Sequence, residues 1–203
     1  MIAIIDYGMG NLRSVQKALE AVGASATITQ SPKDIEKAEK VVLPGVGAMG
    51  PAMERLKALR LISCIQETVA SGKPFLGICL GLQLLFESST EGGLVEGLGV
   101  FAGGVERFSV SKVPHMGWNR VKIQKSRSRL FVGCPEGSHF YFCHSYFVRP
   151  QDPSLVSTTT DYGVEFTSSV ERDCVFGVQF HPEKSQSAGL KLLKNFLEVA
   201  QCS

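Results

Sequence analysis

Three short runs of the chain, Ile2 to Ile5, Val41 to Leu43 and Phe75 to Ile78, are almost wholly apolar, as strands buried on both faces of a parallel sheet must be. Between them the apolar residues change period. Leu12, Val15, Leu19 and Val22 recur at helical spacing, with Asn11 placed to cap the start and Gly23 to end it. Gly50-Pro51 opens a second helical pattern through Met53, Leu56 and Leu59, which resumes after a break through Ile62, Ile65 and Val69 and closes at Ser71-Gly72. Strand–helix–strand alternation predicts parallel strands joined by right-handed crossovers. The first half therefore reads as doubly wound α/β.

From about residue 95 to 180 the texture changes. Asn119 to Ile123, His139 to Cys143, Leu155 to Thr159, Val164 to Val170 and Val175 to Phe180 are strand-like runs separated by Gly, Pro, Asp and Ser. They predict an antiparallel β annex on the same sheet, with Val175 to Phe180 central because that run is nearly all apolar. Leu190, Leu193, Phe196 and Leu197 form a closing amphipathic helix. With no linker, repeat or low-complexity tract, residues 1–203 read as a single domain of a mostly parallel sheet flanked by helices.

Composition removes several classes of function. At 203 residues and 44% hydrophobic content the chain can bury a core without metals or disulfides, and its longest apolar runs are far below the ~18 residues that span a bilayer. A net charge of +2 argues against a polyanionic partner, so nucleic acid and membrane are not expected. The start M-I-A-I-I-D lacks the features of an export signal. The six cysteines are scattered without a C-x-x-C pair, which predicts free thiols in a reducing cytoplasm. The basic stretch Lys122, Lys125, Arg127, Arg129 reads as a solvated loop before a docking patch.

The sharpest feature is F-L-G-I-C-L-G-L-Q-L-L-F, Phe75 to Phe86. A buried strand runs into a glycine-flanked cysteine and then a helix, the construction of a nucleophile elbow. Gly77 and Gly81 permit close backbone approach, and the Cys79 thiol is expected at the positive end of the Leu80 to Phe86 helix, where thiolate is favoured. A small buried cysteine in a tight turn fits this motif alone equally well.

A thiol nucleophile needs a base. His181 ends the strand G-V-Q-F and is followed by Pro182-Glu183. In an extended segment residues two apart face the same side, so Glu183 can hold one ring nitrogen while the other meets Cys79. Oxyanion donors are expected from the N–H of Leu80 and from the loop Gly45-Val46-Gly47 at a strand's C-terminal end. That loop also fits G-x-G-x-x-G, but no acidic strand end follows at the required distance, which makes a dinucleotide site a poor reading. Gln83 lies one helical turn after Cys79, positioned either to meet a substrate or to satisfy nearby backbone. Strand alternation sends Cys143 and His144 to opposite faces, so neither a metal nor another cofactor is expected, and His139 and Cys143 read as structural.

These motifs resemble the class I, triad-type glutamine amidotransferases, whose G-x-C-x-G-x-Q elbow and H-P-E match Gly77 to Gln83 and His181 to Glu183. D-Y-G-M-G-N (Asp6 to Asn11), P-H-M-G-W-N (Pro114 to Asn119), Y-F-C-H-S-Y (Tyr141 to Tyr146) and G-V-Q-F-H-P-E-K-S (Gly177 to Ser185) further resemble the glutaminase-subunit family of imidazole glycerol phosphate synthases. The resemblance implies glutamine hydrolysis, with Cys79 as nucleophile, His181 as acid and base, and Glu183 orienting His181. It implies that Ser145 and Tyr146 hold glutamine by their backbone. It also implies delivery of ammonia to a separate (β/α)8 cyclase subunit in histidine biosynthesis, with Asn11, Trp118 and Tyr141 at the contact. An indole half-buried in the core is the other reading of Trp118.

Overall fold

The protein is represented by a computed structural model that describes residues 1–124 and 128–202. Lys125 and Arg127 of the basic stretch lie outside the described residues. The first half comprises β1 (Ile2–Ile5), α1 (Leu12–Ala21), β2 (Ala26–Thr29), α2 (Pro32–Lys37), β3 (Lys40–Leu43), α3 (Met49–Ala58), α4 (Ile62–Ala70), β4 (Phe75–Ile78) and α5 (Leu80–Leu84). The second half is mostly strand: β5 (Phe86–Ser89), β6 (Val95–Glu96), β7 (Phe101–Arg107), β8 (His115–Arg120), β9 (Lys122–Ile123), β10 (His139–His144), β11 (Tyr146–Pro150), β12 (Val156–Asp161), β13 (Glu165–Arg172) and β14 (Val175–Val178). Helix α6 (Gln186–Glu198) closes the chain.

Among the described residues the main sheet runs β2-β1-β3-β4-β14-β13-β11-β7-β5-β6, with β12 and β9 attached beside β13. The pairs β2–β1, β1–β3, β3–β4 and β4–β14 are parallel. Antiparallel pairing begins at β14–β13. The apolar runs follow from helices on both sides: Ile4, Val42 and Leu76 enter one core cluster, while their neighbours Ile5, Val41 and Phe75 enter the other. Strand β14 sits centrally, between β4 and β13, as its apolar sequence predicts.

The annex is only partly as expected. Strands β7, β11, β12 and β13 continue the central sheet, but β8 and β10 form a separate two-stranded sheet, with Trp118 opposite Tyr141. The helix expected from Leu80 to Phe86 stops at Leu84, because the chain turns and Phe86 joins β7 as β5. Asn11 stands at the α1 N-cap, but its side chain makes no capping bond. The expectation of free thiols throughout is also corrected. Cys202 N–H donates to Gly72 O, which brings the tail beside β14, and Cys174 and Cys202 form a disulfide with α-carbons 5.8 Å apart, within bridging range. Cys64, Cys79, Cys134 and Cys143 are free.

Candidate active site

Cys79 links β4 to α5 with φ 55° and ψ −107°, a conformation costly for a non-glycine residue. Its surroundings over-determine it. The Cys79 N–H donates to Val178 O at 2.8 Å, and its carbonyl accepts from Leu82 and Gln83 N–H. A Cβ on Gly81 would lie 1.8 Å from Leu43 O, and one on Gly77 2.6 Å from Gly81 O. Only glycine lets β3, β4 and α5 approach so closely. Helix α5 has five residues, so its dipole at the thiol is weaker than the longer expected helix would provide.

His181 leaves β14 in an extended conformation, but Pro182–Lys184 then forms a single 3-10 turn where the sequence suggested continued extension. Proline at the first position is preorganised for such a turn. Glu183 still reaches back: His181 Nδ1 and Glu183 Oε1 are 2.8 Å apart, and both side chains are buried. His181 N–H donates to Tyr141 O at 2.8 Å, and Ser185 Oγ donates to His181 O at 2.6 Å. The imidazole is therefore held on both backbone and ring. Burial alone would push its pKa down, but the neighbouring Cys79 and Glu183 side chains together raise it to about 10. The direction of the shift favours the charged form of a ring that sits beside both the sulfur and the carboxylate.

A cleft of about 440 Å³ opens above Cys79. Val46, Gly47, Leu80, Gln83, Ser145, Tyr146 and His181 line it, as do Cys143 and His144. Gly45 lies beneath the cleft instead of on its wall: a Cβ there would stand 2.2 Å from Tyr7 Oη and 2.9 Å from Leu80 Cβ. Gly47 has φ 98°, the left-handed region that glycine allows. Gln83 lines the cleft, but its amide nitrogen is committed to Tyr146 O at 3.0 Å and Gln179 Oε1 at 3.1 Å. This favours a Gln83 satisfied by nearby backbone, here the Tyr146 carbonyl, over a free donor for substrate.

Asn11, Trp118 and Tyr141 lie outside the cleft. Asn11 is exposed at the N-cap of α1. Trp118 is 47% exposed and meets Tyr141 edge-on, with ring centroids 6.1 Å apart. Tyr141 also supplies the carbonyl that holds His181 N–H, so strand β10 links this surface to the segment carrying the imidazole. Among the described residues no group of three or more His, Cys, Asp or Glu could hold a metal ion.

Several residues escaped the sequence reading. Glu91 lines the cleft and accepts from Met49 N–H at 2.9 Å; in T-E-G-G it looks like a solvated turn. Tyr7 is fully buried with no hydrogen-bond partner for its hydroxyl among the described residues. Burial pushes its pKa up, and the neighbouring Cys79 adds to that. His115 and His144 form a buried pair, Nδ1 to Nε2 at 3.0 Å. His144 Nδ1–H donates to Tyr146 O at 2.7 Å, so its Nε2 accepts from His115, whose Nε2 in turn accepts from Asn119. Burial lowers His115 to about 4 and His144 to about 3, keeping both neutral.

A mostly parallel α/β sheet with this elbow and cleft is the fold of class I glutamine amidotransferases. A solved glutamine amidotransferase superposes with TM-score 0.77 at 18% identity, covering 98% of each chain. Another, from Thermotoga maritima, gives 0.69 at 19% identity over 97% of this chain and 96% of that one. The family model described as Glutamine amidotransferase class-I matches residues 3–200, and the chain belongs to that family. It is 54% identical to imidazole glycerol phosphate synthase subunit HisH of Rhodopirellula baltica, over 97% of this chain and 96% of that protein. The same-named subunits of Aquifex aeolicus and Pyrococcus furiosus are each 53% identical, over 98% and 96% of this chain and 96% and 97% of theirs.

Proposed function

We propose that this chain hydrolyses L-glutamine to glutamate and ammonia through Cys79, His181 and Glu183, and supplies the ammonia to a (β/α)8 cyclase subunit of imidazole glycerol phosphate synthase in histidine biosynthesis. The observation that carries the reading is the buried imidazole, held by Glu183 at 2.8 Å, lining one cleft with Cys79. In this scheme the Cys79 thiolate attacks the carboxamide carbon, and the carbonyl oxygen becomes an oxyanion. Leu80 N–H, which as the first residue of α5 has no intrahelical acceptor, is one donor to it; the Val46-Gly47 loop is the other. As the intermediate collapses the C–N bond breaks, and His181 gives its proton to the departing nitrogen, which leaves as ammonia. Neutral His181 then takes a proton from water as the water attacks the thioester. The C–S bond breaks, glutamate leaves, and the thiolate–imidazolium pair is restored.

Glu183 touches neither substrate nor sulfur in this scheme; it holds the ring and balances its charge. Glu91 provides a carboxylate for the glutamine α-ammonium, and the Ser145-Tyr146 backbone faces the rest of the amino-acid end. The partner is inferred from the similarity to HisH subunits and from the exposed Trp118 that stands against half-buried Tyr141. Ammonia released into water would be protonated and lost as a nucleophile, which favours direct transfer.

The test is glutamate release by the chain mixed with the cyclase subunit and its ribulosyl-formimino substrate. Activity is expected in the mixture and its abolition in Cys79→Ala. Glutamate release by Cys79→Ala at the parental rate refutes the mechanism; release without any dependence on the cyclase refutes the partnership.

A further inference from the structure

Gln179 stands one residue past β14 and two before His181, and its side chain is fully buried. Its backbone is already engaged, with the N–H donating to Ser168 O at 2.9 Å. The side chain belongs to a short relay that begins at the Tyr146 carbonyl, which can only accept. Gln83 must therefore present its NH2 group there, at 3.0 Å, and the same nitrogen meets the Gln179 side chain at 3.1 Å. With a donor facing it, Gln179 must answer with its oxygen. One orientation of the amide remains: Nε2 points at the Cys79 sulfur, 3.7 Å away.

We propose that Gln179 is a catalytic residue of the glutaminase reaction, its side-chain N–H donating to the Cys79 sulfur and stabilising the thiolate that attacks and later leaves the substrate carbon. This deepens the function proposed above and rests on it. A buried thiolate needs donors in place of water. His181 is one, but it surrenders its proton to ammonia during acylation and regains one only as water attacks. An amide N–H does not titrate in this range, so Gln179 donates through both half-reactions and no proton passes through it. The relay also ties the donor to the segment expected to hold glutamine, because Gln83 reaches Gln179 and Tyr146 with the same nitrogen.

The experiment measures alkylation of Cys79 by iodoacetamide, located by peptide mass mapping, and steady-state glutaminase activity with the cyclase present. Wild type, Gln179→Leu, Gln179→Glu and Gln83→Leu are compared across pH. Gln179→Leu should slow alkylation at neutral pH about tenfold, as expected for loss of one charge-assisted hydrogen bond. Its pH profile should move to higher pH, with kcat falling and KM little changed. Gln179→Glu should be slower than Gln179→Leu because a carboxylate repels the thiolate. A role in packing alone predicts the opposite order, since Glu is the closer isostere.

Gln83→Leu leaves Gln179 in place but frees it to turn, and should slow alkylation in the same direction. It also decides the matter should either Gln179 variant fail to fold. Wild-type alkylation and kcat in Gln179→Leu, Gln179→Glu as fast as or faster than Gln179→Leu, or an unaffected Gln83→Leu overturns the assignment. A wild-type chain that neither hydrolyses glutamine nor is alkylated at Cys79 sinks the proposed function instead, so the two failures are distinguishable.

Discussion

Nδ1 of His181 lies 2.8 Å from Oε1 of Glu183, across a single proline, with both side chains withdrawn from solvent. The contact orients the ring and assigns its tautomer, leaving Nε2 for sulfur. Glu183→Gln preserves the shape and removes the charge. We expect kcat for glutaminase to fall by roughly 10²–10⁴, as when a triad carboxylate is replaced by its amide, with KM little changed because Glu183 does not line the cleft. Steady-state kinetics with the cyclase check this, and an unchanged kcat would contradict Glu183's orienting role.

The crowding between Gly45 and Tyr7 predicts a coupled pair. Gly45→Ala places a methyl 2.2 Å from Tyr7 Oη, which should cost about 1–3 kcal/mol in overpacking. Tyr7→Phe deletes that oxygen, whose hydrogen-bonding capacity is unmet among the described residues, and should be neutral or stabilising. The double variant should recover much of the loss, giving a coupling energy of about 1 kcal/mol or more in urea unfolding. Strict additivity would show that the loop relaxes away from the phenol.

The histidines set opposite pH limits. His115 is held neutral at about 4 by burial, below the ordinary 6.5. The folded state thus binds fewer protons than the unfolded one, and stability is lost as pH falls from about 6.5 through 4. The loss from His115 alone is roughly 3 kcal/mol, with His144 adding in the same direction. His181 is raised to about 10, so its contribution is complete below about 6.5 and disappears as pH rises through 10. Calorimetric unfolding at pH 5 should take up about one proton fewer in His115→Gln than in wild type.

The tail clasp has a thermodynamic consequence. Cys174 and Cys202 close a loop with a sequence separation of 28, for which loop-closure entropy gives about 3–4 kcal/mol. Cys202→Ser should lower the denaturation midpoint of the oxidised protein and make it insensitive to reductant. A wild-type midpoint that does not respond to reductant would show that the bond contributes nothing.

The strands buried on both faces and the long amphipathic helices were legible because their patterns are dense and local. Gly77, Cys79 and Gly81 were legible too, since a tight strand-to-helix turn admits few residue types. Strands such as β5, F-E-S-S, and β7, F-A-G-G-V-E-R, were not. Their composition is mostly polar or rich in glycine, and pairing with a neighbour makes them strands. The disulfide was hidden for a related reason: a separation of 28 residues says nothing about which ends meet.

The sequence by itself determined the doubly wound half, the elbow and the proximity of His181 to Glu183, because each depends on backbone geometry over a few neighbouring residues. The tertiary structure alone decided what surrounds the sulfur. Tyr7, Glu91 and Gln179 come from loops that follow β1, β5 and β14, and they converge only once the sheet has formed. Hydrogen bonds among groups so far apart in the chain have no period and no motif.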